Sequence, residues 1–189
     1  MTSLNAPTTH SAQTIADVIA FWSDAGPQRW FAKDPAFDDI FRDRFLKLHM
    51  RAAKRELDHW AQSPDGALAL LILLDQFPRN AFRGSAHMYA TDALALLFAK
   101  TALTQGFDKQ IDPALRLFFY LPFAHSEHEE DQHLSVRLNA QLGADYTAHA
   151  RSHRNIIQRF GRFPHRNAML GRVTTQTEQF FLDAGGFAG

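Results

Sequence analysis

Two short strings in this chain repeat the same polar residues. "LLDQFPRNAFRG" (73–84) and "RFGRFPHRNAMLGR" (159–172) each carry Phe-Pro, then Arg-Asn, then a Gly beside another Arg. The first presents Arg79, Asn80 and Arg83; the second presents Arg162, His165, Arg166 and Asn167. A guanidinium is a planar fork that grips a carboxylate or phosphate through two hydrogen bonds, so these residues suit an anion site. A third string, "HSEHEEDQH" (125–133), places His125 and Glu127 just after Leu121-Pro122. A histidine oriented by a carboxylate can act as a general base, and His153 is a second candidate for that role.

Each feature also has a purely structural reading. Proline cannot continue a helix and biases the residue before it away from the helical region. Asn80 and Asn167 suit the caps of whatever follows, which would make the two strings punctuation only. Asp75 pairs with Arg79, four residues on, only if the helix persists past Pro78. The Ser126 hydroxyl, with Glu129 three residues later, reads as a capping box rather than a nucleophile.

Charge arrangement favours a site over punctuation. Residues 146–177 contain no Asp or Glu, yet hold Arg151, Arg154, Arg159, Arg162, Arg166 and Arg172 with His149, His153 and His165. Exposed ion pairs contribute only about 0–1 kcal/mol each, so stability alone does not call for so many arginines. Burying them costs roughly several kcal/mol per ion, which cores rarely accept without a use. The expected use is to hold a small carboxylate or phosphate ester. His149 and His153 have the i, i+4 spacing of a metal pair, but no Glu follows His149 and the nearby arginines repel a divalent cation. No metal and no other cofactor is expected.

Composition bounds the rest. The 189 residues are 46% hydrophobic and 21% charged, with formal net charge zero and no cysteine. That is one domain's length, ordinary globular composition, and no disulfide or thiolate chemistry. Zero net charge, with no basic face interleaved with aromatics, argues against nucleic acid. The start "MTSLNAPTTHSAQ" has no apolar leader, and the longest apolar run, "ALALLILL" (67–74), is too short to cross a membrane. A cytoplasmic protein is the expectation. Nothing resembles a serine elbow, a phosphate-binding glycine loop or a dinucleotide fingerprint.

Helices are what the pattern provides to position these groups. Ile15, Val18, Ile19 and Trp22 recur at helical spacing up to Gly26-Pro27. Asp34-Pro35 and Ser63-Pro64 are cap-plus-proline starts. Phe37, Ile40, Phe41, Phe45 and Leu48 form the stripe of the first of these helices. The second is apolar nearly all round, so a central, inaccessible helix over 64–76 is expected, ended by Phe77-Pro78. Further helices are expected from Asp92 to Gln105, from Asp112-Pro113 with an interruption at Pro122, and from Ser126 to Gly143. Two more are expected from Ala144 to Phe160 and from the capping box Thr175-x-x-Glu178. No stretch alternates long enough for a strand. The reading is all-α, one compact domain over 1–189 with about eight to ten helices and a disordered tail at 1–12.

"WFAKDPAFDD", "LALLILLDQFPRNAFRG", "YATDALAL", "FFYLPFAHSE", "EDQ" and "HRNIIQRFGRFPHRNAMLGR" together resemble the bacterial family known as domain of unknown function 924. The resemblance runs from about Val18 to Phe187. It implies an all-α fold similar to tetratricopeptide-repeat arrays, and it implies no activity. Two functions stay open. One is a module whose Arg/His-lined cleft binds a small anionic ligand or peptide. The other is a hydrolase or lyase in which His125 or His153 moves protons while arginines hold the substrate. In both, the two Arg-Asn strings should converge, with Arg79, Asn80 and Arg83 facing Arg162, His165 and Arg166.

Overall fold

A computed structural model describes residues 13–187; the expected tail at 1–12 lies outside them. Every regular element among the described residues is helical. Helix α1 (Ile15–Ala25) starts at a capping box in which Thr14 and Asp17 exchange bonds, an unforeseen signal. A single turn, α2 (Pro27–Trp30), leads to α3 (Pro35–Ala53), capped by Asp34 as its cap-proline pair predicts. The aromatic stripe of α3 packs on α1: Phe21 stacks on Phe41 at 5.1 Å, and Phe41 meets Phe77 edge-on at 5.0 Å.

Helix α4 (Pro64–Leu71), capped by Ser63, is the central element as expected, and Leu68 through Leu74 are at most 1% exposed. Its first turn passes very close to a short turn at Asp58–Gln62. A Cβ on Gly66 would lie 2.1 Å from the Trp60 carbonyl oxygen, so only glycine fits there. The helix does not stop at Phe77-Pro78. It widens into a π turn over Ile72–Gln76 and continues as α5 (Phe77–Ala81), giving one rod with Pro78 near the start of its last segment.

A 3₁₀ turn (Ala86–Tyr89) leads into α6 (Asp92–Thr104), which ends at the left-handed Gly106. Asp112 caps a 3₁₀ turn at Pro113–Leu115, and α7 (Leu117–His125) follows. Pro122 does not interrupt α7. Its neighbours Phe118, Phe119, Tyr120 and Phe123 are essentially inaccessible, and tertiary packing holds the helix where propensity alone would break it. Helix α8 (Glu129–Asn139) ends short of Gly143; α9 (Ala144–Phe160) and α10 (Gln176–Asp183) complete the chain, with Thr175-x-x-Glu178 a true capping box.

One hydrophobic cluster unites α1 through α8. A second, smaller one joins Ile156, Ile157 and Phe163, with Phe160 and Phe181 packed against it. The polar residues of interest bridge these two clusters.

Candidate functional site

The π turn is where the site begins. There the Phe77 N–H reaches back five residues to the Ile72 carbonyl, and Pro78 has no N–H at all. Outside side chains serve the neighbouring carbonyls. His49 Nδ1 donates to Leu73 O at 2.9 Å, and Thr91 Oγ1 donates to Leu74 O at 2.5 Å. π turns of this kind recur at functional sites, and this one holds Asp75 in the interior.

Asp75 Oδ1 lies 2.8 Å from His125 Nδ1 and 3.2 Å from Arg79 Nη1, while Gln76 Nε2 donates to Oδ2 at 2.6 Å. The Asp75–Arg79 pair is the i, i+4 pair that required the helix to persist past Pro78. Burial alone would raise the Asp75 pKa, but Arg79 and the hydrogen bonds from His125 and Gln76 hold it near 2. An ionised carboxylate only accepts, so Nδ1 of His125 carries the proton and Nε2 presents its lone pair. No described residue bonds Nε2, and the His125 side chain is 15% exposed. Burial, then the charge of Arg79, lowers the His125 pKa, leaving a neutral imidazole at pH 7.

The backbone beneath His125 is fixed as firmly as its ring. Gln132 Nε2, fully buried on α8, lies 3.3, 2.8 and 2.7 Å from the carbonyls of Phe123, Ala124 and Ser126. Arg166 Nη2 donates to the His125 carbonyl at 3.0 Å. These side chains serve the carbonyls that the end of α7 leaves open. Ser126 is not the expected N-cap of α8; that position is His128, without a side-chain bond. Its hydroxyl instead donates to Asp131 Oδ2 at 2.8 Å, and Asp131 also meets Lys100 at 2.6 Å.

The two Arg-Asn strings converge through one residue each. Arg79 grips Asp92 with both Nη atoms, at 2.8 and 3.0 Å, and Arg166 Nη1 reaches the same carboxylate at 3.3 Å. The Arg166 guanidinium packs on the rings of Tyr89 and Phe163, 4.6 and 4.5 Å from their centroids. The other predicted residues do not join them. Arg83 turns to Asp38 on α3 and to the Ala32 carbonyl, with Asn80 Oδ1 accepting from it at 2.7 Å; Asn80 Nδ2 in turn donates to Gln76 O. Arg162 clasps Glu178 of α10 at 2.6 and 2.8 Å, and Asn167 donates to the same carboxylate at 3.3 Å. Glu127 does not orient His125. It takes both arms of Arg172 at 2.7 and 3.1 Å and accepts the Phe163 N–H at 2.7 Å. Short-range pairing has dispersed the expected arginine cluster.

His153 and His165 both pack against Phe163, at 5.6 Å between ring centroids, and neither bonds His125. His153 Nδ1 donates to the His149 carbonyl at 2.9 Å; His165 Nδ1 is buried without a partner. His149 is exposed, and no group of three or more metal-ligating side chains forms among the described residues. Asp92, Tyr89 and Gln132 entered no prediction of the site. The first two lie in "YATDALAL" and the third in "EDQ", strings singled out above only for their resemblance.

The family described as "Bacterial protein of unknown function (DUF924)" matches residues 18–186. The chain belongs to this family. It is also similar to a solved structure, the protein of unknown function ATU0120 from Agrobacterium tumefaciens. They share 53% identity with a TM-score of 0.88, over 90% of this chain and 97% of that one. None of the curated proteins compared with this chain matches it. Two open hollows among the described residues, of about 860 and 330 Å³, lie elsewhere: Trp60 and Leu57 line the first, Phe160 and Phe181 the second, and His125 neither. No helix among the described residues is long and apolar enough to cross a membrane.

Proposed function

We infer that the site is a small acid–base centre, with His125 as general base, Asp75 as its orienting carboxylate and Arg166 as the cation beside the substrate. The observation that supports it best is the 2.8 Å contact of a buried, ionised Asp75 with His125 Nδ1, which leaves the lone pair on Nε2. Nε2 takes a proton from water or from an acidic position of the substrate, and Asp75 stabilises the imidazolium that results. That suits a hydrolase or lyase acting on a small molecule. Charge balance favours this over a plain anion-binding cleft. Arg79 has Asp75 and Asp92, Arg162 has Glu178, Arg172 has Glu127 and Arg83 has Asp38. Arg166 meets a carboxylate only at the shared, 3.3 Å contact to Asp92; Nη2 bonds the neutral His125 carbonyl, and Nε is buried without a partner. Among these arginines, Arg166 is therefore the one with most charge left for a small anionic group or peptide carboxylate.

The remaining expectations stay with this proposal: a cytoplasmic protein, without nucleic acid as partner. The tetratricopeptide-repeat likeness is supported by the successive packing of α6 on α7, α7 on α8 and α8 on α9.

The test is a turnover screen with p-nitrophenyl esters, phosphate esters and small amides, run beside His125→Gln and Arg166→Gln. Turnover in the wild type that disappears in a folded His125→Gln supports the reading. Turnover unchanged in His125→Gln sinks it. If nothing turns over but carboxylates or phosphate raise the melting midpoint, and Arg166→Gln abolishes that shift, the binding reading takes its place.

A further inference from the structure

The site at His125 uses only part of the arginine-rich stretch 146–177. Arg162, Arg166 and Arg172 each meet a carboxylate, whereas Arg159 meets none among the described residues. Its guanidinium lies instead over two phenyl rings, 4.7 Å from the centroid of Phe160 and 5.7 Å from that of Phe181. Such stacking occupies the face of the guanidinium and leaves its N–H edge available. Ser152 and Asn155 stand seven and four residues before Arg159, a spacing that puts all three on one side of α9. Arg154 orients the Asn155 amide: its Nη2 donates to Oδ1 at 3.1 Å, so Nδ2 is the atom left to donate.

These three donors line the smaller hollow, of about 330 Å³, together with the rings of Phe160, Phe181 and Phe187. Phe160 and Phe181, with centroids 5.0 Å apart, are packed onto the second hydrophobic cluster. The end of α10 brings Phe187 to them. Gly185 turns left-handed, with φ of +79°, and the Gly186 N–H bonds Phe181 O at 2.9 Å. The Phe187 ring then rests edge-on against His153, at 4.6 Å between centroids.

We propose that this hollow is a second ligand site, separate from His125, and that it takes a small carboxylic acid with an aromatic body. Arg159 holds the carboxylate, with Asn155 Nδ2 and the Ser152 hydroxyl beside it, and the ligand's ring lies against the phenyl rings. Each half of that ligand answers a feature of the hollow. A guanidinium with no acid of its own calls for an anionic acceptor, and a carboxylate matches its fork with two parallel bonds. Inorganic phosphate meets the same fork but has no apolar part to cover the rings. An aromatic body removes that apolar surface from water and adds ring–ring contact. The volume is at the lower end of the range for small-ligand sites, about 300–1,000 Å³, which suits a one-ring acid.

The test titrates the full chain with phenylacetate at constant ionic strength and follows its N–H resonances by NMR. Phenylacetate should move the signals of Arg159 Nε, Asn155 Nδ2 and the Gly186 amide. Acetate, which has the charge without the ring, and phenylethanol, which has the ring without the charge, should bind more weakly. Arg159→Gln should weaken phenylacetate at least about tenfold, the loss of one charge-assisted hydrogen bond. Arg151→Gln, at an exposed position of the same helix, and His125→Gln should leave the affinity unchanged. Acetate binding as tightly as phenylacetate would reduce the site to a surface cation. Equal losses in Arg159→Gln and Arg151→Gln would reduce it to the net charge of α9. A loss in Arg166→Gln, with Arg159→Gln unaffected, would move the ligand beside His125 and overturn the proposal while leaving the acid–base reading intact. No response to millimolar phenylacetate overturns it outright.

Discussion

Arg79 and Arg166 close on the same carboxylate. Asp92 takes two bonds from Arg79 and one from Arg166, so one residue of α6 joins two motifs from opposite halves of the chain. Asp92 also stands in the first turn of its helix, where the positive end of the helix dipole steadies its negative charge.

Removing that carboxylate leaves two largely buried guanidinium groups to repel each other. Asp92→Asn should cost about 3–5 kcal/mol in urea denaturation, the range for breaking one partner out of a buried pair. Asp39→Asn, which loosens the exposed Arg42–Asp39 pair, should cost under about 1 kcal/mol. Equal costs for the two would mean that Asp92 is not the junction.

Asp75→Asn tests orientation separately from stability. An amide can donate to Nδ1 as well as accept from it, so it no longer dictates which ring nitrogen carries the proton. Any turnover found in the screen should fall at least about 100-fold, with KM little changed. The imidazole nitrogen shifts of His125 should move toward a mixed tautomer. Retained turnover with the wild-type tautomer would remove Asp75 from the mechanism.

Gln132→Met keeps the side chain's bulk but takes its donor away from the carbonyls that end α7. With those acceptors left buried, stability should drop by about 1–3 kcal/mol. Because His125 sits on the freed backbone, turnover should fall with it. Stability within 0.5 kcal/mol of the wild type, roughly the noise of a surface substitution, would show that water replaces Gln132.

The pH dependence of stability should have two windows. Burial lowers the pKa of His49, His125, His153 and His165 below the unfolded value of about 6.5. As pH falls through about 6.5 the unfolded chain takes up protons that the folded chain refuses. Stability is therefore full above that pH and is lost on the way down to about 4 and 3, at about 1.4 kcal/mol per pH unit for each such histidine. Below about pH 4 a second loss begins, as Asp75 and Glu178, both held near 2 in the fold, are protonated first in the unfolded chain. Urea midpoints at pH 7.5, 5.5 and 4.5 measure the first window, and His153→Gln should flatten its slope by about one proton. A midpoint constant from pH 7.5 to 4.5 would contradict it.

Much of this molecule was settled by local sequence. Asp34-Pro35, Ser63-Pro64 and Thr175-x-x-Glu178 start helices where their side chains say they should, because a cap bonds only its own first turn. The run "ALALLILL" determines the central helix, since a segment apolar on every face has nowhere else to go. Pro78 and Pro122 were misjudged for the opposite reason. Their cost is local, but packing and borrowed donors such as Thr91 offset it from elsewhere in the chain. The site was legible as residue types and not as partnerships. His125, Arg79 and Arg166 stand out in the string by their chemistry. Which carboxylate each would meet is a matter of distance across helices: Asp92 rather than Glu127 for the arginines, and Asp75 rather than Glu127 for His125. Charges pair with whatever the fold brings within about 3 Å in a space poor in water, and only the tertiary structure decides what that is.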